Sequence, residues 1–136
     1  MKKLFALVAL VLFVTSCGGF DTKSKVDEVL DVHDEVMPKM GEVMNLKRKV
    51  LAKAQEETDT VAVRALRQLA KDLDDANSGM MVWMREWSKN AKPHINEESD
   101  LEMRKEFFVQ EMERVTKVKE DINGAIAAAK SVLDEK

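Results

Sequence analysis

The chain has few of the residues that supply covalent or cofactor chemistry. It contains a single cysteine, Cys17, and only two histidines. An internal disulfide is therefore excluded, and the absence of a Cys-x-x-Cys-His sequence excludes a covalently attached c-type haem. There is no glycine-rich phosphate-binding loop, and no serine, cysteine or histidine lies in the local sequence of a known catalytic motif. The sequence therefore predicts no enzymatic activity.

Two metal-site patterns of helical proteins are also missing. Di-iron proteins with a ferritin-like bundle carry Glu-x-x-His motifs, but Leu30 and Ala91 stand three residues before the two histidines. The acidic run at 72–75 lacks the spacing and the glycine of a calcium-binding EF-hand loop. We expect this run to be a solvated helix surface.

The charge pattern shows no basic face. Lys and Arg number 22 against 25 Asp and Glu, for a net charge of −3, and loss of Lys2 and Lys3 with a leader peptide would make the remainder more negative. Nucleic-acid binding needs clustered positive charge, and so does electrostatic docking on an anionic membrane. Neither is expected for this chain.

The first residues form a short apolar leader. Lys2 and Lys3 precede the apolar run 4–14, which is shorter than the ~20 residues of a transmembrane helix. The sequence Val14-Thr15-Ser16-Cys17 resembles a bacterial lipobox, in which the cysteine is acylated, with palmitate among the acyl chains, and the preceding peptide is removed.

This resemblance predicts a signal peptide over residues 1–16, lipid attachment at Cys17 and a tether over residues 17–25. The mature protein would then be a membrane-anchored lipoprotein of the bacterial cell envelope, on the periplasmic or cell-surface side.

After the tether, apolar residues recur every three or four positions, which is the spacing of one buried helix face. Three such stripes extend over residues 26–54, 63–87 and 101–133, and no alternating strand pattern occurs. Pro38 lies within the first stripe without changing its phase, which predicts a kink. Thr58 or Asp59 and the capping-box pattern that begins at Ser99 mark the later helix starts, and Pro93 ends the second helix.

We therefore predict an all-α fold, an elongated antiparallel up-down-up three-helix bundle over residues 26–136. Such a bundle has a thin core. A homodimer that completes a thicker bundle is the alternative.

Antiparallel packing would bring His33 level with Trp83 or Met84, close to Phe107 or Phe108. The simpler interpretation of this layer is core packing, because methionine fills irregular gaps and contacts aromatic rings favourably. The alternative is a soft-metal site for Cu(I) or Ag(I), which prefer thioether and imidazole ligands. Its candidate ligands are His33, Met37 and Met40 on the first helix and Met80 and Met84 on the second.

A haem held by histidine and methionine is a weaker possibility, since a three-helix core offers little room for one.

Three parts of the chain resemble a group of small uncharacterised bacterial lipoproteins, some of which carry the label "viral A-type inclusion protein", a label that we attribute to coiled-coil similarity. These parts are Cys17, the segment His33–Gly41 (HDEVMPKMG) and the segment Met80–Met84 (MMVWM). The resemblance covers most of the mature chain. It implies the helical fold and the lipid anchor, but no activity or ligand.

The sequence as a whole favours a non-enzymatic interaction or structural module without a cofactor. Its expected partners are the membrane, through the lipid on Cys17, and either another protein or a second copy. A copper-binding protein is the alternative.

Overall fold

The computed structural model describes residues 19–134, and every regular element in this part of the chain is helical. The predicted all-α class is confirmed. The predicted signal peptide and Cys17 lie outside the described residues. The elements are α1 (Thr22–Val36), a 3-10 turn (Met37–Lys39), α2 (Met40–Glu56), α3 (Thr60–Asn90), α4 (Lys92–Ile95) and α5 (Leu101–Asp134).

The first predicted helix is interrupted at Pro38, as the sequence indicated. Proline has no N–H to donate to the carbonyl of Asp34, and its ring crowds that turn. The backbone therefore tightens into a 3-10 turn before α2 resumes at Met40. Val36 and Val43 are both fully buried, so the apolar face stays in phase across the interruption.

Aspartate side chains cap three helix starts. Asp21 accepts a hydrogen bond from the backbone N–H of Lys23 (3.1 Å), Asp59 from Val61 and Ala62 (2.7 and 3.0 Å), and Asp100 from Met103 (2.9 Å). Two predictions are corrected here. Helix α1 begins at Thr22, so residues 22–25 of the predicted tether are helical. The residue that caps α5 is Asp100, not Ser99.

The connection between α3 and α5 contains the short helix α4, where the sequence predicted only a helix end at Pro93. Pro93 does not simply end a helix; it lies in the first turn of α4, where its missing N–H has no intrahelical partner to lose. Further along, Glu97 has a positive φ of 59°. Its carboxylate is held by Arg104 Nη1 at 2.9 Å and by the hydroxyl of the buried Thr22 at 2.8 Å. These contacts fix the connection to the first turn of α1.

Contacts between elements give the directions of the long helices. Lys119 and Lys130 of α5 pair with Glu35 of α1 and Glu42 of α2, each at 2.6 Å, so α5 runs parallel to α1 and α2. The short connection at 57–59 turns α3 back against α2. Lys47 of α2 then pairs with a carboxylate of α3, at 2.5 Å.

The core receives one apolar face from each long segment. Several positions differ from the predicted stripes: Leu46 and Ala125 are buried, Leu51 and Leu101 are 37% and 41% exposed, and Glu111 occupies a buried position of α5 at 4% exposure. Within residues 19–134, no helix is long and apolar enough to cross a membrane. The largest fully buried side chains are Leu73, Met80, Ile122, Val29, Val36, Val43, Val50 and Val115.

Candidate functional site

Both histidines and both tryptophans belong to one aromatic array that joins α1, α3, α4 and α5. Its rings follow one another at centroid distances of 5.6, 5.6, 5.8 and 4.1 Å in the order His33, Trp83, Trp87, Phe107, His94. The expectation that His33 lies level with Trp83 is confirmed, and Phe107 belongs to the same array. The array therefore has a histidine at each end.

Two further phenylalanines flank the array. Phe108 meets Phe107 edge-on, at 5.3 Å and 78°, and Phe20 packs on Phe108 at 6.1 Å. Aromatic pairs at such distances contribute about 0.5–1.5 kcal/mol each beyond their buried area. Trp83 is 2% exposed and contacts a ring on either side. We therefore expect Trp83 to be the main packing element of the array.

The two histidines have different environments. His94 stacks on Phe107 at an interplanar angle of 8°, and its Nδ1 lies 2.9 Å from the Ser99 hydroxyl, so both of its contacts fix the α3–α5 connection. His33 Nδ1 lies 2.8 Å from a carboxylate oxygen of Asp34. A carboxylate oxygen only accepts hydrogen bonds, so the proton of this contact lies on Nδ1, and in the neutral imidazole the lone pair then lies on Nε2.

Nε2 of His33 is buried, and no protein group in the described part of the chain forms a hydrogen bond with it. Histidines that bind metals commonly donate their other ring nitrogen to a carboxylate, as His33 does to Asp34. Of the predicted metal ligands, His33 is thus the one whose surroundings favour that role.

The four methionines proposed as ligands all lie in or against the core. Met40 and Met80 are buried, and Met37 and Met84 are half-buried. Residues 19–134 contain no group of three or more His, Cys, Asp or Glu side chains that could hold a metal ion. A metal ion bound beside His33 would therefore need Nε2 of His33 and methionine sulfurs as its ligands.

Glu111 is a buried charged group that the sequence analysis missed. One carboxylate oxygen accepts a hydrogen bond from Arg114 Nη1 at 2.6 Å, whereas the other is buried and receives none. Burial alone would lower the pKa of the Arg114 guanidinium, but its hydrogen bonds and charge interactions with Glu111 and Glu86 outweigh burial and raise that pKa. Glu111 lies three residues after Phe108 and four before Val115, and this helical spacing could have predicted its burial.

Trp83 also carries a buried polar atom. No protein group of the described residues accepts a hydrogen bond from its indole N–H. A donor on Trp83 and an acceptor on His33 thus belong to neighbouring rings. These two residues form no nucleophile–base pair.

The sequence matches no protein-family model, no curated protein and no solved structure.

Proposed function

We propose that this chain is a lipid-anchored, non-enzymatic lipoprotein of the bacterial cell envelope that acts as an interaction or structural module. The observation that carries the proposal is the lipobox-like sequence ending at Cys17, after an apolar leader and directly before a helical domain. Only Gly18 and Gly19 separate this cysteine from Phe20, which packs against the domain. Acyl chains on Cys17 would provide the membrane anchor.

In this proposal the domain is an elongated up-down-up bundle of three long helices. Helices α1 and α2 count as one helix interrupted at Pro38, and α4 belongs to the connection between the second and third. The parallel pairing of α5 with α1 and α2 supports this arrangement. The outer faces of such a bundle would be available to a protein partner or a second copy.

The Cys17→Ser variant tests the anchor. In cells fed radioactive palmitate, the wild-type protein should become labelled and remain in the membrane fraction. The variant should take up no label, because the hydroxyl does not replace the thiol in lipid attachment. Ser16→Ala is the matched control, since it keeps a small residue beside the cysteine and should preserve labelling. A labelled variant, or a processed variant that stays on the membrane, would contradict the proposal.

A second candidate function is binding of a soft metal ion, and the environment of His33 favours it. Asp34 holds Nδ1, while Nε2 is buried and has no hydrogen-bond partner among residues 19–134. Cu(I) and Ag(I) prefer such imidazole nitrogens together with thioether sulfurs. His33 Nε2 would be one ligand, and the others would come from Met37, Met40, Met80 and Met84.

Titration with Ag(I) under anaerobic conditions tests this second function. A metal site should bind one equivalent of silver and quench tryptophan fluorescence. Binding should also stabilise the fold against heat, because it raises the free energy of unfolding by about 2.7 kcal/mol when free silver is 100-fold above Kd. Combining His33→Ala with Met37→Leu should abolish binding while helical content is kept, because methionine and leucine have similar volumes.

His94→Ala is the control for the titration, since His94 is paired with Ser99 and should not affect silver binding. If the layer is only core packing, silver will cause none of these changes in the wild-type protein.

A further inference from the structure

The chain enters the domain at a fixed point. Phe20 packs on the buried Phe108, and α1 begins two residues later at Thr22. The Thr22 hydroxyl donates to Glu97 and accepts from Arg104 Nη1 at 3.0 Å. The first described residues are therefore held against the domain.

Exposed apolar side chains surround this entry point. Gly19, Phe20 and Leu101 line one shallow cleft together with Asp21, Ser24, Lys25 and Lys105. Leu101, the first residue of α5, is 41% exposed. We call this region the tether end; it comprises residues 19–25, α4 with the connection 96–100, and the first turn of α5. Ile95 and Met103, at 38% and 50% exposure, belong to it as well.

The distance from Cys17 to this surface is limited by covalent geometry. Two peptide units join Cys17 to Gly19, so their Cα atoms are at most about 7.6 Å apart. A lipid on Cys17 would therefore hold the cleft beside the membrane surface. Leu101 and Phe20 would then lie within reach of the lipid interface, where apolar side chains insert favourably and lysine stems extend towards the headgroups.

We propose that the tether end docks on the bilayer through Leu101, Phe20 and Ile95, so that the domain stands end-on on the membrane. This inference rests on the proposed lipid anchor. Exposed ion pairs occur on the long sides, such as Lys71 with Asp75 and Lys117 with Asp121, and also at the tether end, where Lys105 pairs with Glu102. The end-on orientation therefore follows from the short reach between the lipid on Cys17 and the cleft, and not from the distribution of charge.

The opposite end then lies well away from the lipid. Helix α3 has 31 residues, which corresponds to about 46 Å at 1.5 Å per residue. Val61, at 69% exposure, lies at the far end of this helix.

Single fluorescent labels on the full-length mature lipoprotein test end-on docking. Because Cys17 is the only native cysteine and would be acylated, Leu101→Cys and Val61→Cys each provide one free thiol for an environment-sensitive NBD label. The labelled proteins are reconstituted into vesicles of phosphatidylethanolamine and phosphatidylglycerol with doxyl-labelled lipid as quencher. We expect a blue-shifted emission at position 101 and roughly twofold or stronger quenching, as for a group in the lipid interface, with neither effect at position 61.

Flotation of the same vesicles separates the docking from the anchor. If the protein does not float with the vesicles, the lipid anchor fails and the docking inference fails with it. If the protein floats but the label at 101 behaves as in water, only the docking inference is overturned. Equal quenching at 101 and 61 would show a domain that lies flat and would also overturn it. Circular dichroism confirms that each labelled variant keeps its helical content.

Discussion

Replacing Trp83 with alanine is expected to lower the free energy of unfolding by about 3–5 kcal/mol, the usual range for removing a large buried aromatic side chain. Trp83 is 2% exposed and lies between the rings of His33 and Trp87. Truncation would remove both ring contacts and leave a cavity between α1 and α3. Urea unfolding of the domain, followed by far-UV circular dichroism, measures the loss.

Two control variants identify the source of this loss. Trp83→Phe keeps an aromatic ring and removes the indole N–H that has no protein acceptor in the described residues, so it should cost much less than alanine. Val61→Ala removes an exposed side chain and should change stability by no more than about 0.5 kcal/mol. If Trp83→Ala costs less than about 1 kcal/mol, the array does not stabilise the fold as we infer.

The parts of the fold that follow from local spacing could be predicted from the sequence. A buried helix face repeats every three or four residues, and the stripe in phase on both sides of Pro38 was enough to indicate an interrupted helix. The short connections limit how the helices can be paired. That limit was enough to predict that His33 lies level with Trp83.

The features that were missed depend on what covers a position in three dimensions. Leu101 fits the apolar stripe of α5, yet it is 41% exposed. Glu111 fits the same stripe by position, but a pattern of apolar residues alone does not include it. Pro93 is compatible with a helix end, although proline in a first helical turn also starts a helix.

The candidate site was only partly predictable for the same reason. Sequence spacing placed His33 and the methionines on one helix face, but the choice of the free ring nitrogen depends on the hydrogen bond between Nδ1 and Asp34. In the part of the chain that the structure describes, the indole N–H of Trp83 and one oxygen of Glu111 have no hydrogen-bond partner. This depends on side-chain directions, which periodicity does not contain. These polar atoms distinguish the layer from an ordinary apolar core.

Replacing Arg114 with leucine should destabilise the domain by about 3 kcal/mol, the lower end of the range for leaving a buried charge without its partner. The Glu111 side chain is 5% exposed, and within the described residues it accepts a hydrogen bond from Arg114 alone. The lower end of the range applies because the Arg114 side chain is 39% exposed and solvent weakens the pair. Glu111→Leu should be nearly neutral or stabilising, since Arg114 keeps its pairing with Glu86.

The double variant with leucine at both positions decides whether the cost comes from the stranded carboxylate. It should recover most of the stability that Arg114→Leu loses, which gives a coupling energy of about 2–3 kcal/mol in a double-mutant cycle measured by urea unfolding. If the stability changes of the two single variants simply add, Arg114 stabilises the domain through its packing and through Glu86. The buried Glu111 carboxylate would then not need Arg114 as its partner. Recovery in the double variant would mean that Arg114 makes a buried carboxylate tolerable at a core position of α5, which explains how an acidic residue can occupy the apolar stripe beside the aromatic array.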